Sequence, residues 1–200
     1  MTITYQVKNG IYVNMTNRCP CACTFCLRQH GASVYGSDPL WLEREPTVEE
    51  VCQSLDGWDL AKYDEVVFCG YGEPTERLDD LLKVAAHIKS KGDVKIRVNT
   101  NGLSDLIHGE RTAPKLKGLI DTVSVSLNAT NKEEYNKVVR PRFGIESYDA
   151  MLRFTKDCVA YVPNVVMTVV DVVTSPEEQE RCRAICRELG ATLRVRPYEE

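Results

Sequence analysis

Residues 17–26 read NRCPCACTFC and place Cys19, Cys23 and Cys26 at the spacing C-x3-C-x2-C, with Phe25 just before the last cysteine. Three thiolates can hold three irons of a 4Fe-4S cube and leave the fourth iron open, whereas an electron-carrying cluster normally takes a cysteine on every iron. An open iron is a place for chemistry. Cys21 supplies a fourth thiol, so spacing alone also admits a structural zinc or a fully ligated cluster.

Working outward, strand-like and helix-like runs alternate, as expected of βα units around a parallel sheet. Thr2 to Val7 and Ile11 to Thr16 flank Asn9-Gly10, a dipeptide suited to a hairpin turn, so the first core strand is expected to carry a short antiparallel partner. The cysteine loop follows that strand. Thr47 and Glu50 form a capping box for a helix whose apolar face is Val48, Val51, Cys52 and Leu55. Strands are expected over Glu65–Cys69, Val94–Asn99, Thr122–Leu127, Asn164–Val172 and Thr192–Arg196, and helices near Leu78–Ser90, Asn131–Val139 and Ser147–Ala160. A last helix has Ser175 as cap, Pro176 in its first turn, Glu178 completing the box and Gly190 closing it. Six βα-type strands fall short of the eight of a closed barrel. The expected fold is therefore an α/β, partial, open (β/α)6 barrel with an N-terminal β-hairpin, residues 1–200 forming a single domain. The irregular stretch Gln29–Arg44 reads either as a lid or as a surface loop.

Composition sets bounds on partners. The chain has 200 residues, 43% apolar and 27% charged, which is ordinary for a soluble globular protein. No apolar run is long enough to cross a bilayer, and MTITYQVKNG lacks the basic-then-apolar pattern of a signal peptide. A cytoplasmic protein is expected, with its nine cysteines serving as metal ligands or buried apolar residues rather than disulfides. A net charge of -4 and a pI near 5.5 argue against nucleic acid as a partner.

The cysteine loop resembles that of the radical S-adenosylmethionine (SAM) enzymes, whose loop has this spacing and usually an aromatic residue before the third cysteine. A second feature strengthens the likeness. Those enzymes commonly carry Gly-Gly-Glu-Pro after the second strand, and here Gly70-Tyr71-Gly72-Glu73-Pro74 stands there, Tyr71 departing from the doubled glycine. The resemblance implies a 4Fe-4S cluster held by Cys19, Cys23 and Cys26, and SAM as cofactor. It implies that Gly72 and Glu73 receive the amino group of SAM. Ser126 and Asn128 would approach its carboxylate or ribose, with Asn99 assisting. Phe25 would lie near the adenine, walled by Val165–Val169. Reductive cleavage of SAM would then give methionine and a 5'-deoxyadenosyl radical that abstracts hydrogen from a substrate, in an oxygen-sensitive enzyme. A donor such as flavodoxin or ferredoxin would supply the electron.

Alternation along the strands permits one inference from the residues themselves. If Val94, Ile96, Val98, Val123, Val125, Leu127, Leu193 and Val195 pack on helices, then Arg97, Asn99, Ser124, Ser126, Arg194 and Arg196 face inward. Three inward arginines need anionic partners. Arg97, Arg194 and Arg196 are thus candidate contacts for an anionic substrate, unless they serve the SAM carboxylate or an internal acid. Cys182 and Cys186 could share a metal with Cys158, but on a stripe with Ile185 and Leu189 they read as small apolar residues. Arg140-Pro141-Arg142 is a candidate substrate contact but reads first as a solvated loop.

Within the superfamily, the chain is most similar to small radical SAM proteins associated with TatD-type nucleases, which implies a functional link to such a nuclease. NRCPCACTFC, LWLEREPTVEEV, GYGEPTERLDD, VSLNAT, VVRPRFG and RVRPYEE carry that likeness. Two alternatives remain: a glycyl-radical activating enzyme acting on a protein partner, and a non-enzymatic iron-sulfur or metal-binding module that uses all four clustered cysteines.

Overall fold

The computed structural model describes residues 1–29, 39–173 and 175–197. Seven strands form one sheet in strict chain order: β1 (Thr4–Val7), β2 (Gly10–Val13), β3 (Glu65–Phe68), β4 (Lys95–Thr100), β5 (Thr122–Ser126), β6 (Asn164–Val170) and β7 (Thr192–Arg196). Strand β1 pairs antiparallel with β2, and every later pair is parallel. Parallel neighbours need crossovers. Helices α1 (Val48–Asp56), α2 (Leu78–Lys91), α3 (Ser104–His108), α4 (Lys132–Val139), α5 (Ser147–Tyr161) and α6 (Pro176–Leu189) provide them. An open sheet of six parallel strands is consistent with a partial TIM-type barrel.

The turn between β1 and β2 differs from expectation. Val7 pairs with Gly10, so the two-residue turn is Lys8-Asn9, with Lys8 at φ 52°, and Gly10 is already a strand residue beside Glu65. The Asn-Gly signal located the hairpin but was one residue late. Helix α3 was not anticipated, because it is a five-residue turn of SDLIH with no amphipathic repeat to betray it.

The outward strand residues Ile96, Val98, Val123, Val125, Met167 and Val169 are almost wholly buried against Leu81, Val84, Ile88, Met151 and Phe154 of the helices. Cys158, Cys182 and Cys186 pack in the same core, and burial pushes the Cys182 thiol up to about 11 and the Cys186 thiol up to about 12. They behave as small apolar residues. Thr47 and Ser175 each accept the N3 amide while Glu50 and Glu178 bond back to the cap, both as the sequence indicated. Loss of the second cap, in Ser175→Ala, is expected to destabilise the protein by about 1 kcal/mol, read as a shift in urea midpoint at constant slope.

The segment read as a lid or a surface loop lies largely outside the described residues. Its described end, residues 39–44, acts as a brace. Asn17 donates to the Leu42 carbonyl at 2.7 Å and accepts from the Leu42 amide at 3.1 Å. Next to it, Glu45 holds Arg18 at 2.7 Å.

Candidate functional site

The C-terminal ends of β2, β3 and β4 converge on the cysteine loop, and its neighbours fix its path. Ala22 and Thr24 donate to the Val139 and Val138 carbonyls at 3.1 and 2.9 Å, and the Arg142 amide donates to Pro20 at 2.8 Å. Cys21 forms a β-bridge with Pro141. Arg140-Pro141-Arg142, read from sequence as a solvated loop, therefore braces the loop through its backbone. Nothing in its composition signals this, because the bonds are made by the main chain.

Cys19, Cys21, Cys23 and Cys26 are all half-buried. Cys21 accepts from Asn101 Nδ2 at 3.6 Å. The neighbouring Cys19 and Cys23 thiols push the Cys21 thiol up, and Cys21 draws Cys19 below the ordinary thiol range. Burial raises Cys26. Among the described residues no three His, Cys, Asp or Glu gather as a single-ion site would require.

The glycines at the end of β3 are dictated by close approach. A Cβ on Gly72 would lie 2.2 Å from the Thr16 carbonyl oxygen and 2.7 Å from that of Arg18, and one on Gly70 would meet the Asn14 side chain at 2.1 Å. Gly72→Ala is expected to cost about 3 kcal/mol and to lower iron uptake on reconstitution, both measurable on one preparation. Between them Tyr71 turns into an apolar patch with Tyr5, Val7 and Leu40 and meets the Trp41 ring at 5.1 Å. This accommodates the departure from the doubled glycine.

Glu73 is 3% exposed. Its Oε1 accepts from the Thr75 amide (3.1 Å), the Thr75 hydroxyl (2.7 Å) and the Thr100 hydroxyl (2.7 Å), and its Oε2 accepts from the Asn101 amide (2.7 Å). Burial raises its pKa above the ordinary carboxylate range, against the pull of these donors. Glu73 thus ties the end of β3 to the end of β4. Oε1 is saturated, while Oε2 retains acceptor capacity toward the cavity that Glu73 lines. Thr75, Thr100 and Asn101 were missed as its supports; only their position after strand ends could have pointed to them.

That cavity, about 540 Å³, runs along the concave face of the sheet. At one end it meets Cys23, Phe25, Cys26, Gly72, Glu73 and Asn101, and at the other Lys8, Asn9 and Asp64. Arg97, Asn99, Ser124, Ser126, Arg194 and Arg196 line it, as strand alternation required. Thr168 and Val170 form the β6 wall, a correction to Val165–Val169, of which Val165, Met167 and Val169 face the helices. Asn128 is not among the lining residues: it sits at φ 60°, 3% exposed, with Oδ1 lacking a hydrogen-bond partner.

The three arginines differ sharply. Arg97 is taken by an internal acid, Glu65, at 2.6 and 3.0 Å, and also reaches Asn99 at 3.1 Å and Tyr12 at 3.3 Å. Asn99 is occupied from its other side by the Cys69 thiol. Arg194 is exposed at the rim. Arg196 has a buried Nε without a partner, and burial lowers its pKa, with Arg194 and Arg97 adding repulsion. A guanidinium nitrogen desolvated beside a cavity is costly unless an acceptor joins it.

The residues fit the groups that the loop implies. Cys23 and Cys26 open on the same cavity as Glu73, a carboxylate with spare acceptor capacity. Two glycines let the turn carrying it press on the cysteine loop.

A family model described as Radical SAM superfamily matches residues 13–188. GTP 3',8-cyclase 2 of Mycobacterium tuberculosis is 25% identical over 195 residues, 95% of this chain and 50% of the relative. The chain spans about half the length of the curated relatives it matches first. Streptococcus suis SuiB bound to its precursor peptide SuiA superposes with a TM-score of 0.72 at 17% identity, over 98% of this chain and 41% of that one. SuiB bound to S-adenosylmethionine gives 0.65 at 17%, over 94% and 38%. Among the described residues no helix is long and apolar enough to cross a membrane.

Proposed function

We propose, for a chain that belongs to the radical SAM superfamily of enzymes, that it cleaves SAM reductively and uses the product radical on an anionic substrate held along the concave face. Members of this superfamily use a 4Fe-4S cluster and SAM. In our reading Cys19, Cys23 and Cys26 hold the cluster, and Cys21 is a supporting thiol. When bound, the reduced cluster supplies one electron to the sulfonium of SAM, releasing methionine and a 5'-deoxyadenosyl radical.

The chain's own residues then have distinct tasks. Glu73 Oε2 receives the ammonium of SAM in a partly dry pocket, where a charge-assisted bond is strong. Gly72 lets the turn approach. Ser126 and Asn99 border the space beside it, and Phe25 covers the adenine edge. Asn128, off the cavity wall, acts through the backbone turn it makes after β5. The enclosed walls exclude water from a reactive intermediate.

The observation that carries the anionic substrate is Arg196, half-buried, with a buried Nε that has no hydrogen-bond partner. Arg97 is a positioning residue held by Glu65 rather than a substrate contact, and Arg194 guides anions at the rim. Arg196→Gln is expected to raise apo stability by about 1 kcal/mol, to abolish stabilisation by added inorganic phosphate, and to leave SAM affinity within about twofold. Loss of SAM binding in that variant would assign Arg196 to SAM instead. The finer likeness to TatD-nuclease-associated proteins, the link to such a nuclease and a cytoplasmic, oxygen-sensitive setting belong to the same proposal. Detection of 5'-deoxyadenosine after incubation with SAM and dithionite tests the activity itself, and its absence from a reconstituted preparation would reject it.

A further inference from the structure

Helix α4 lies against the cysteine loop: the carbonyls of Val138 and Val139 in its last turn accept from the Thr24 and Ala22 amides at 2.9 and 3.1 Å. Residues three and four apart share a helix face, so Tyr135 sits on the side of α4 that carries these contacts. Its side chain is wholly buried in the core. The Tyr148 ring holds it edge-on, with ring centroids 5.5 Å apart and planes at 62°.

The Tyr135 hydroxyl has no hydrogen-bond partner among the described residues, although a buried phenol usually finds one. A buried donor left unmade is costly, and the packed ring denies this one solvent. The groups that act on it are those of the site. Burial raises the Tyr135 pKa, and the charges of Cys21, Cys23, Glu73 and Cys19 raise it further. Glu73 accepts four hydrogen bonds and Cys21 accepts from Asn101, none of them from Tyr135. A dry O–H set beside the cysteines is matched to an acceptor that comes with the cluster, whose sulfides and thiolates are electron-rich.

We propose that Tyr135 donates a hydrogen bond to a sulfur of the bound 4Fe-4S cluster and thereby raises its reduction potential. The inference rests on the cluster reading above. Reduction adds one electron to the cluster and strengthens every hydrogen bond its sulfurs accept, so a donor favours the reduced form; such bonds are among the terms that set cluster potentials. The electron comes from the external reductant and Tyr135 keeps its proton, so no covalent bond forms or breaks. A cluster that is easier to reduce is also a weaker reductant of the sulfonium. Tyr135 therefore sets the balance between taking up the electron and delivering it.

The test compares the anaerobically reconstituted parent with Tyr135→Phe, which removes the hydroxyl and keeps the ring, at matched iron content. Tyr148→Phe is the control, because the Tyr148 hydroxyl feels burial and then Cys182, Asp149 and Cys186 rather than the cysteine loop. Midpoint potentials are read without SAM by mediated redox titration followed by electron paramagnetic resonance. Tyr135→Phe is expected to lower the equilibrium constant for reduction roughly fivefold, about 40 mV at 59 mV per tenfold, and Tyr148→Phe to match the parent. An exchangeable proton coupled to the reduced cluster in electron-nuclear double resonance should be lost in Tyr135→Phe alone. Equal potentials in the iron-loaded parent and Tyr135→Phe, as when a buried water takes the hydroxyl, overturn the inference and leave the cluster reading standing. So does an equal drop in Tyr148→Phe, which would be an effect of packing. A drop that vanishes when Tyr135→Phe is made together with Cys21→Ser gives the bond to Cys21 and also overturns it. A parent that takes up no iron overturns both readings.

Discussion

Serine in place of Cys19, Cys23 or Cys26 is expected to drop bound iron from about four per chain to a small residue and to leave no measurable 5'-deoxyadenosine, whereas Cys21→Ser keeps both. The effect is large because each of the three thiolates secures one iron, and a hydroxyl is a far poorer ligand for iron-sulfur chemistry. In this reading Cys21, which accepts from Asn101 Nδ2 at 3.6 Å, supports the loop and holds no iron. Iron content and optical spectra of the four variants, prepared together, check it. A site that needs Cys21 as much as the others would be a four-thiolate site.

The second large effect concerns Glu73. Glu73→Gln is expected to weaken SAM binding by roughly 2 kcal/mol, about thirtyfold, as for loss of a hydrogen bond to a charged group. The protein should also lose stability, because the amide group turns at least one donor toward the four donors now facing the carboxylate. A pH series adds a sign. Only the ionised carboxylate attracts an ammonium, and burial holds the pKa of Glu73 above the ordinary carboxylate range. SAM affinity of the parent protein should therefore fall as pH is lowered through that raised value, and the Gln variant should lack this limb. Equilibrium dialysis with labelled SAM across pH separates the two.

Much of this architecture was legible because it rests on local rules. Both capping boxes, the βα alternation and β7 over Thr192–Arg196 follow from periodicity and from side chains that bond within three residues. The inward set from Arg97 to Arg196 followed from alternation alone. What escaped was non-local or made by main chain. The brace between residues 138–142 and the cysteine loop joins segments about 120 apart in the chain, and two of the four donors on Glu73 come from Thr100 at the end of β4 and from Asn101 just after it. Arg97 was indistinguishable from Arg196 in sequence, since each alternates with valine. Only the pairing of β3 with β4 brings Glu65 to one, while the Nε of the other is left without a hydrogen-bond partner. Asn128 shows the limit of strand-end logic: past the last ladder residue the chain turns through positive φ, and alternation no longer tells which way a side chain faces.

Whether an iron stands open for SAM beside Glu73 is decided by electron paramagnetic resonance of the anaerobically reconstituted, dithionite-reduced protein, recorded with and without SAM. A reduced-cluster signal is expected whose g-values shift on SAM addition, less readily in Glu73→Gln. An intact cluster signal that SAM leaves unchanged would contradict an open iron.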